Sequence, residues 1–156
     1  MKLSMKSRYA FRALADLSIH SKSAHVPLNV LAQRNGISPQ FLEQVFASLR
    51  RAGIVRSIKG PQGGYYLARP ASEITVSDIV YAIDGDYYIT DEKTADPCKD
   101  EEISDVIQEL IIDPLNRQTK KVLQGVTLED MEEEYLKHNE EEYMLSLIHI
   151  SEPTRH

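Results

Sequence analysis

The sequence has no tryptophan and a single cysteine, Cys98, in 156 residues. One cysteine cannot build an internal disulfide framework, so a disulfide-stapled secreted scaffold is excluded and the chain reads as cytoplasmic. No stretch approaches the roughly 18 uncharged apolar residues of a membrane helix. In the basic opening MKLSMKSRYAFRALADL charge interrupts the apolar run, which argues against a signal peptide. No Gly-Lys-Ser or Gly-Lys-Thr closes a glycine-rich run ahead of a helix, which excludes a P-loop. Ser, His and Cys form no triad pattern, no carboxylate pair has a catalytic rationale, and His20, His25 and His138 are scattered. Neither an enzyme nor a metal site is expected. Internal repeats and low-complexity tracts are also missing.

What the chain does have is a sharp division of charge. Residues 1–70 hold eleven Lys/Arg (Lys2, Lys6, Arg8, Arg12, Lys22, Arg34, Arg50, Arg51, Arg56, Lys59, Arg69) against Asp16 and Glu43, a surplus of nine. The remainder holds seven basic and twenty-two acidic residues, a deficit of fifteen, and the two parts give the net charge of -6. Such a chain offers a positive face to a polyanion and keeps an acidic body in solvent. With 42% hydrophobic and 27% charged residues, it can bury one core, as a single domain or a small domain with an appendage.

Helical spacing of Tyr9, Ala10, Phe11, Ala13, Leu14 and Leu17 predicts a helix from Met5 to Ile19. After a polar break, LNVLAQRNG predicts a short helix with Leu28, Val30 and Leu31 inward, stopped at Asn35-Gly36. Ser38-Pro39 then supplies an N-cap and a proline for the first helical position. The helix they open runs to about Ala52, with Leu42, Val45, Phe46 and Leu49 as its buried stripe. Two β-type runs follow, Ile54–Ile58 and Tyr65–Leu67, joined by Lys59-Gly60-Pro61-Gln62-Gly63-Gly64, which reads as a hairpin with a glycine-rich tip. Thr75 caps a further helix with Val76, Ile79, Val80 and Ile83 on one face. Residues 85–101 are polar and read as a loop. From Glu102 to Leu123 the pattern is a long amphipathic helix that Asp113-Pro114 is expected to kink. Thr127 caps a last helix, TLEDMEEEYLKH.

The fold class is therefore mainly α with a small β-hairpin: a winged helix-turn-helix plus a long C-terminal dimerisation helix. The DNA major groove admits one α-helix, whose N-terminal residues face base edges. Ser38, Gln40, Glu43 and Gln44 stand at those positions, opposite the apolar stripe. Glutamine can pair bidentately with adenine, glutamate accepts from cytosine N4, and serine serves either. A solvated helix face is the bland alternative for each of them. Arg50 and Arg51 at the end of that helix join the DNA-binding set. In the wing, Arg56 and Lys59 flank a Gly60, Pro61, Gln62, Gly63 tip that lets backbone approach phosphate or enter a minor groove.

MKLSMKSRYAFRAL, LEQVFASLRRAGIVRS and KGPQGGYYLARP, in this order and followed by ITVSDIVYAIDG and TLEDM, resemble the Rrf2 family of bacterial winged-helix repressors over nearly all of residues 1–144. The resemblance implies a homodimer built on the long helix and a palindromic operator of double-stranded DNA. It implies base contacts from Ser38, Gln40, Glu43 and Gln44, wing contacts from Lys59, Gly60, Pro61 and Gly64, and Ser4 and Lys6 near the DNA backbone. Family members that bind an iron–sulfur cluster carry three cysteines in the loop before the dimer helix, where this chain has Cys98 alone. The chain thus resembles the cysteine-poor members, and no cofactor is expected. Cys98 is a sensor candidate, but Asp96, Asp100, Glu101 and Glu102 surround it and should raise the thiol pKa. A regulatory protein or a small-molecule effector could carry the signal instead.

The expected organisation is a DNA-binding domain over 1–84, a sensor-type loop over 85–101 and dimerisation helices over 102–144. The dimer interface is expected at Ile103, Val106, Ile107, Leu110, Ile111 and Leu115, since so small a monomer cannot bury both faces of its C-terminal helices. LSLIHISEPTR, Leu145 to Arg155, reads codon for codon as a translated transposase sequencing adapter, so 145–156 is expected to be a non-native tail. The competing reading of the whole is a winged-helix protein–protein interaction module that does not bind DNA specifically.

Overall fold

The structure, a computed structural model, describes residues 2–20, 24–95 and 100–151. The first three helices are α1 (Met5–His20), α2 (Leu28–Asn35) and α3 (Pro39–Arg51). Each boundary has a local cause. The Ser4 hydroxyl accepts the Ser7 amide at 3.1 Å and opens α1. Gly36 closes α2 in the left-handed conformation (φ 64°), where a side chain would be strained, and its amide bonds back to the helix. The Ser38 hydroxyl accepts the Phe41 amide at 3.1 Å and Pro39 occupies the first turn of α3. Leu42, Val45, Phe46 and Leu49 are at most 1% exposed and form the centre of the core with Leu14, Leu17 and Leu31.

Strands β1 (Val55–Ile58) and β2 (Gly64–Leu67) pair antiparallel, Val55 opposite Leu67 and Ile58 opposite Gly64. Val26 exchanges both backbone hydrogen bonds with Tyr65 (2.9 and 2.8 Å), adding a third stretch of extended chain to this wing. A 3-10 turn over Ala71–Glu73 leads into α4 (Val76–Asp84). The long helix consists of α6 (Glu101–Ile107), a π turn over Gln108–Ile112 and α7 (Asp113–Gly125), and α8 (Leu128–Ser151) follows. Thr75 with Asp78, and Thr127 with Asp130, form reciprocal capping boxes at the starts of α4 and α8. A short backbone bridge ties the two starts together: Val76 N–H to the Val126 carbonyl, Leu128 N–H to the Ile74 carbonyl. The chain leaves the reading head at α4 and comes back to the same spot, where α8 packs on α1 and the Ser18 hydroxyl donates to Glu132 at 2.9 Å in a buried contact.

Two details differ from the sequence reading, and a third adds to it. Val30 is exposed and Ala32 is buried instead, because only 28, 31 and 32 share a face of this short helix. The stretch 85–101 is not all loop, since Glu92–Ala95 makes one helical turn, α5. Pro114, where a kink is expected, stands just after a π turn over Gln108–Ile112, and the long helix continues through it. Its missing N–H and its ring, which would crowd the Leu110 carbonyl, are accommodated by the wider π turn immediately before it. The Cys98 sensor assignment falls outside the described residues. Helix α8 runs through Leu145 as far as Ser151.

Candidate nucleic-acid interface

Because Leu42, Val45, Phe46 and Leu49 take the inner face of α3, Gln40, Glu43 and Gln44 are left on one outer face at three- and four-residue spacing, all exposed. Ser38 is exposed beside them; its hydroxyl accepts the Phe41 amide with one lone pair, so its proton and its second lone pair remain for an outside partner. Phe41 anchors this end of α3: Tyr9 meets it edge-on with ring centroids 5.4 Å apart, and the Lys6 ammonium stands 5.9 Å from its centroid. Lys6 is thereby held next to the first turn of α3.

At the other end of α3, Arg50 borders a shallow crevice whose further walls are Asn29, Ser57, Lys59, Gly60 and Pro61. Helix end and wing tip therefore face one crevice. Phe46 fixes the wing to the helix through an edge-on contact with Tyr65 (4.8 Å, 83°). Arg56, Lys59, Gly60, Pro61 and Gln62 are exposed. Gly60 takes φ 106°, a conformation that side chains avoid, and its carbonyl accepts the Gly63 amide at 2.9 Å to close the tip. His25 contacts the Gln62 carbonyl from below.

Gly63 and Gly64 have an internal use. A Cβ on Gly63 would lie 2.0 Å from the Ile58 carbonyl oxygen, and one on Gly64 would lie 2.5 Å from the Val26 carbonyl. Their bareness lets the wing close on itself and on Val26. Ser4 is likewise engaged within the protein, as the cap of α1 and as a backbone donor to Asp84 at 3.3 Å. Arg51 turns back to the Ser48 hydroxyl at 3.1 Å.

Among the described residues, two cations of the positive half are neutralised. Arg34 makes a two-pronged contact with Asp16 (2.5 and 3.1 Å), which also accepts from Asn35, and this locks α2 to α1. Arg69 pairs with Asp78 at 3.5 Å. Among the described residues Lys6, Arg50, Arg56 and Lys59 form no ion pair within 4.0 Å, although the charge of Lys6 is felt by Asp84. The sequence reading missed Asp84, which accepts from the Ser7 hydroxyl at 2.7 Å and from the Ser4 amide. Burial works against its charge, but hydrogen bonds from Ser4 and Ser7 and the nearby Lys6 outweigh that, and its carboxyl lies below the ordinary value of 3.8. A carboxylate in the last turn of a helix, against the dipole of that helix, was the available signal.

Residues 3–134 match the family described as Rrf2, iron-dependent transcriptional regulator. The chain belongs to the Rrf2 family. It is 46% identical over 84 residues to the HTH-type transcriptional regulator IscR of Photorhabdus laumondii and 48% identical over 84 residues to IscR of Vibrio atlanticus. Both matches cover 54% of this chain, which spans about half the length of these curated relatives (51% and 49%). Among solved structures, CymR, the global cysteine regulator of B. subtilis, is similar with a TM-score of 0.73 at 31% identity, over 85% of this chain and 97% of CymR. IscR of T. potens gives a TM-score of 0.60 at 35% identity, over 86% and 88%. The Rrf2 architecture of winged helix-turn-helix and long helix is thus the architecture of this chain.

For Rrf2 proteins an iron–sulfur group has to be weighed against the donors present. Thiolates are the usual ligands of such clusters, and this chain holds one cysteine. Among the described residues no three His, Cys, Asp or Glu side chains come together as a metal-binding group. The donor set does not fit a cysteine-held cluster.

The connector and long helix complete the site. Asn116 clamps the connector at Ile89, accepting its amide at 2.9 Å and donating to its carbonyl at 3.1 Å. Gln108, the first residue of the π turn, accepts from the Glu92 amide (2.8 Å) and donates to Asp91 and Asp113. Ile112 and Leu123 turn inward, while Ile103 (60%), Val106 (53%), Leu110 (73%), Ile111 (51%), Leu115 (49%) and Val122 (61%) are exposed along the helix and Ile107 is half-buried. An apolar band of this kind is out of place in a solvated monomer. Among the described residues no helix is long and apolar enough to cross a membrane.

Proposed function

We propose that this chain acts as a homodimeric transcription repressor that binds a two-fold symmetric operator in double-stranded DNA. The observation that carries the reading is the cationic face itself. Arg50 and the wing tip Lys59-Gly60-Pro61 border one crevice, Lys6 stands at the opposite end of α3, and Gln40, Glu43 and Gln44 lie exposed on the helix between. Phosphate contacts from Lys6, Arg50, Arg56 and Lys59 set register on the duplex, and the three polar side chains read base edges. The exposed band from Ile103 to Val122 is the pairing surface, and a C2 pair of reading heads matches a palindrome. The acidic C-terminal helices repel phosphate, which fixes the docking face.

The IscR relatives, HTH-type transcriptional regulators by name, support reading this chain as a regulator of transcription. The test is a duplex selected from a random-sequence library by the purified protein. Gln44→Ala should relax discrimination at one base position per half-site, and Lys59→Ala should weaken all sequences alike. If neither variant differs from wild type on the selected duplex, the assignment of this face to DNA is wrong.

A further inference from the structure

We propose that Asp84 is a positioning residue for DNA recognition: through Ser4 and Ser7 it holds the first turn of α1 so that Lys6 stands beside the first turn of α3. The inference rests on the DNA reading above and adds a residue that touches no DNA.

Asp84 sits in the last turn of α4, where its own helix presents carbonyl oxygens and disfavours a negative charge. Its surroundings favour that charge from another direction. One oxygen, Oδ2, accepts from the Ser7 hydroxyl at 2.7 Å and from the Ser4 amide at 3.3 Å, while the Ser4 hydroxyl accepts the Ser7 amide at 3.1 Å. These groups lie at the positive end of α1, so a carboxylate some eighty residues away along the chain completes the N-terminal cap of that helix. Ser7 is fully buried (0% exposed), and a buried hydroxyl left without a partner carries a large desolvation cost. Asp84 is the acceptor that satisfies it.

The orientation of this turn matters because of what it carries. Lys6 lies between the two serines and reaches the Phe41 ring, and Tyr9 packs on the same ring from the next turn. Without the Asp84 anchor the first turn of α1 can fray, as uncapped helix ends do, and Lys6 loses its fixed position next to α3. Immediately after Asp84, Gly85 (φ 77°) ends α4 and the chain departs for the connector that Asn116 holds on the long helix. The anchor therefore sits at the exit of the reading head.

The test uses the full-length protein and a fluorescent random-sequence duplex of about three helical turns (~30 bp). Anisotropy is measured across a salt series for wild type, Lys6→Ala, Asp84→Ala, Asp84→Asn and the double variant Lys6→Ala/Asp84→Ala. One phosphate contact contributes about fivefold at ~0.15 M salt through counterion release, so losing Lys6 from both protomers should weaken binding about 30-fold and flatten the salt slope by about two. Asp84→Ala is expected to reproduce most of that loss and the same flattening, and the double variant to bind no worse than Lys6→Ala alone. Asp84→Asn, which keeps a carbonyl oxygen at the acceptor position, should stay within about threefold of wild type. A purely structural role would give additive losses and an unchanged salt slope, and that result overturns the proposal.

Hydrogen exchange of the α1 first turn in the absence of DNA is the second readout. Exchange at Ser7 should speed up in Asp84→Ala and remain near wild type in Asp84→Asn; unchanged protection in Asp84→Ala overturns the anchor. A wild-type protein without salt-dependent binding would remove the DNA reading, and the DNA role of Asp84 with it. The exchange result shows separately whether the anchor exists.

Discussion

Lys59→Ala tests the electrostatic argument most directly, and its size follows from the residues counted on the face. In the proposed complex Lys6, Arg50, Arg56 and Lys59 would give four phosphate contacts per protomer and eight per dimer. Counterion release then predicts a slope of log affinity against log salt of about -7, so that raising salt from about 50 to 200 mM costs about 10⁴ in affinity. Removing Lys59 takes two contacts from the dimer. The slope should flatten to about -5, and the loss should be about 200-fold at ~50 mM and about 30-fold at ~0.15 M, vanishing toward 1 M salt. Anisotropy titrations on one duplex at four or five salt concentrations measure both quantities. Because Lys59 is exposed and ion-paired with no described carboxylate, its removal should leave the melting temperature unchanged. A wild-type slope shallower than about -3, or a Lys59→Ala slope equal to wild type, would refute the claim that this face meets phosphate.

Three further outcomes are expected. Leu110→Glu places a charge on the most exposed residue of the apolar band (73%) and removes two leucines from the pair, which should weaken the dimer by about 10²- to 10⁴-fold; a dimer unchanged by sedimentation would mean that another surface pairs. Gly64→Ala drives a Cβ to 2.5 Å from the Val26 carbonyl, so the Val26–Tyr65 bridge must open, and the variant should lose operator affinity at least tenfold while its helical circular dichroism persists. Asp84 has a folded-state pKa below 3.8, so the stability it lends through charge is complete above that value and is lost as pH falls through the lower folded value. The urea midpoint of wild type relative to Asp84→Asn should thus be higher at neutral pH and converge with it in acid, and a gap constant with pH would contradict the linkage.

What could be read from the sequence was local. Ser38, Thr75 and Thr127 announce helix starts because a side-chain oxygen and an amide three residues on are neighbours in any helix N-terminus. The inner stripe of α3 follows from spacing alone, and the outer face with Gln40, Glu43 and Gln44 follows from the stripe. Distant contacts were not legible. Nothing in residues 63–64 says that Val26 and the Ile58 carbonyl will press on them, so their glycines read equally well as an approach to phosphate. Arg34 counts as a free cation until α1 brings Asp16 to it. The long helix shows many apolar positions at once, and only its tertiary packing tells Ile112 and Leu123, which go inward, from Leu110 and Ile111, which do not.

The π turn draws these features together. An α-helix through Pro114 would set its ring against the Leu110 carbonyl; widening the preceding turn removes that clash without ending the helix. Gln108 opens that widened turn, and its side chain holds the Glu92 amide and the Asp91 and Asp113 carboxylates, while Asn116, just beyond the proline, holds both polar groups of the Ile89 backbone. The connector is thus hydrogen-bonded to the helix on both sides of the proline. That same helix carries the exposed apolar band, so the reading head is tied to the proposed pairing surface by short polar contacts. A two-fold site sets its half-sites one helical turn, or a multiple of it, apart, and a head hung on a slack tether could not hold that spacing. The clamps on either side of Pro114 are what would let a pair of these chains present two α3 helices at one set separation.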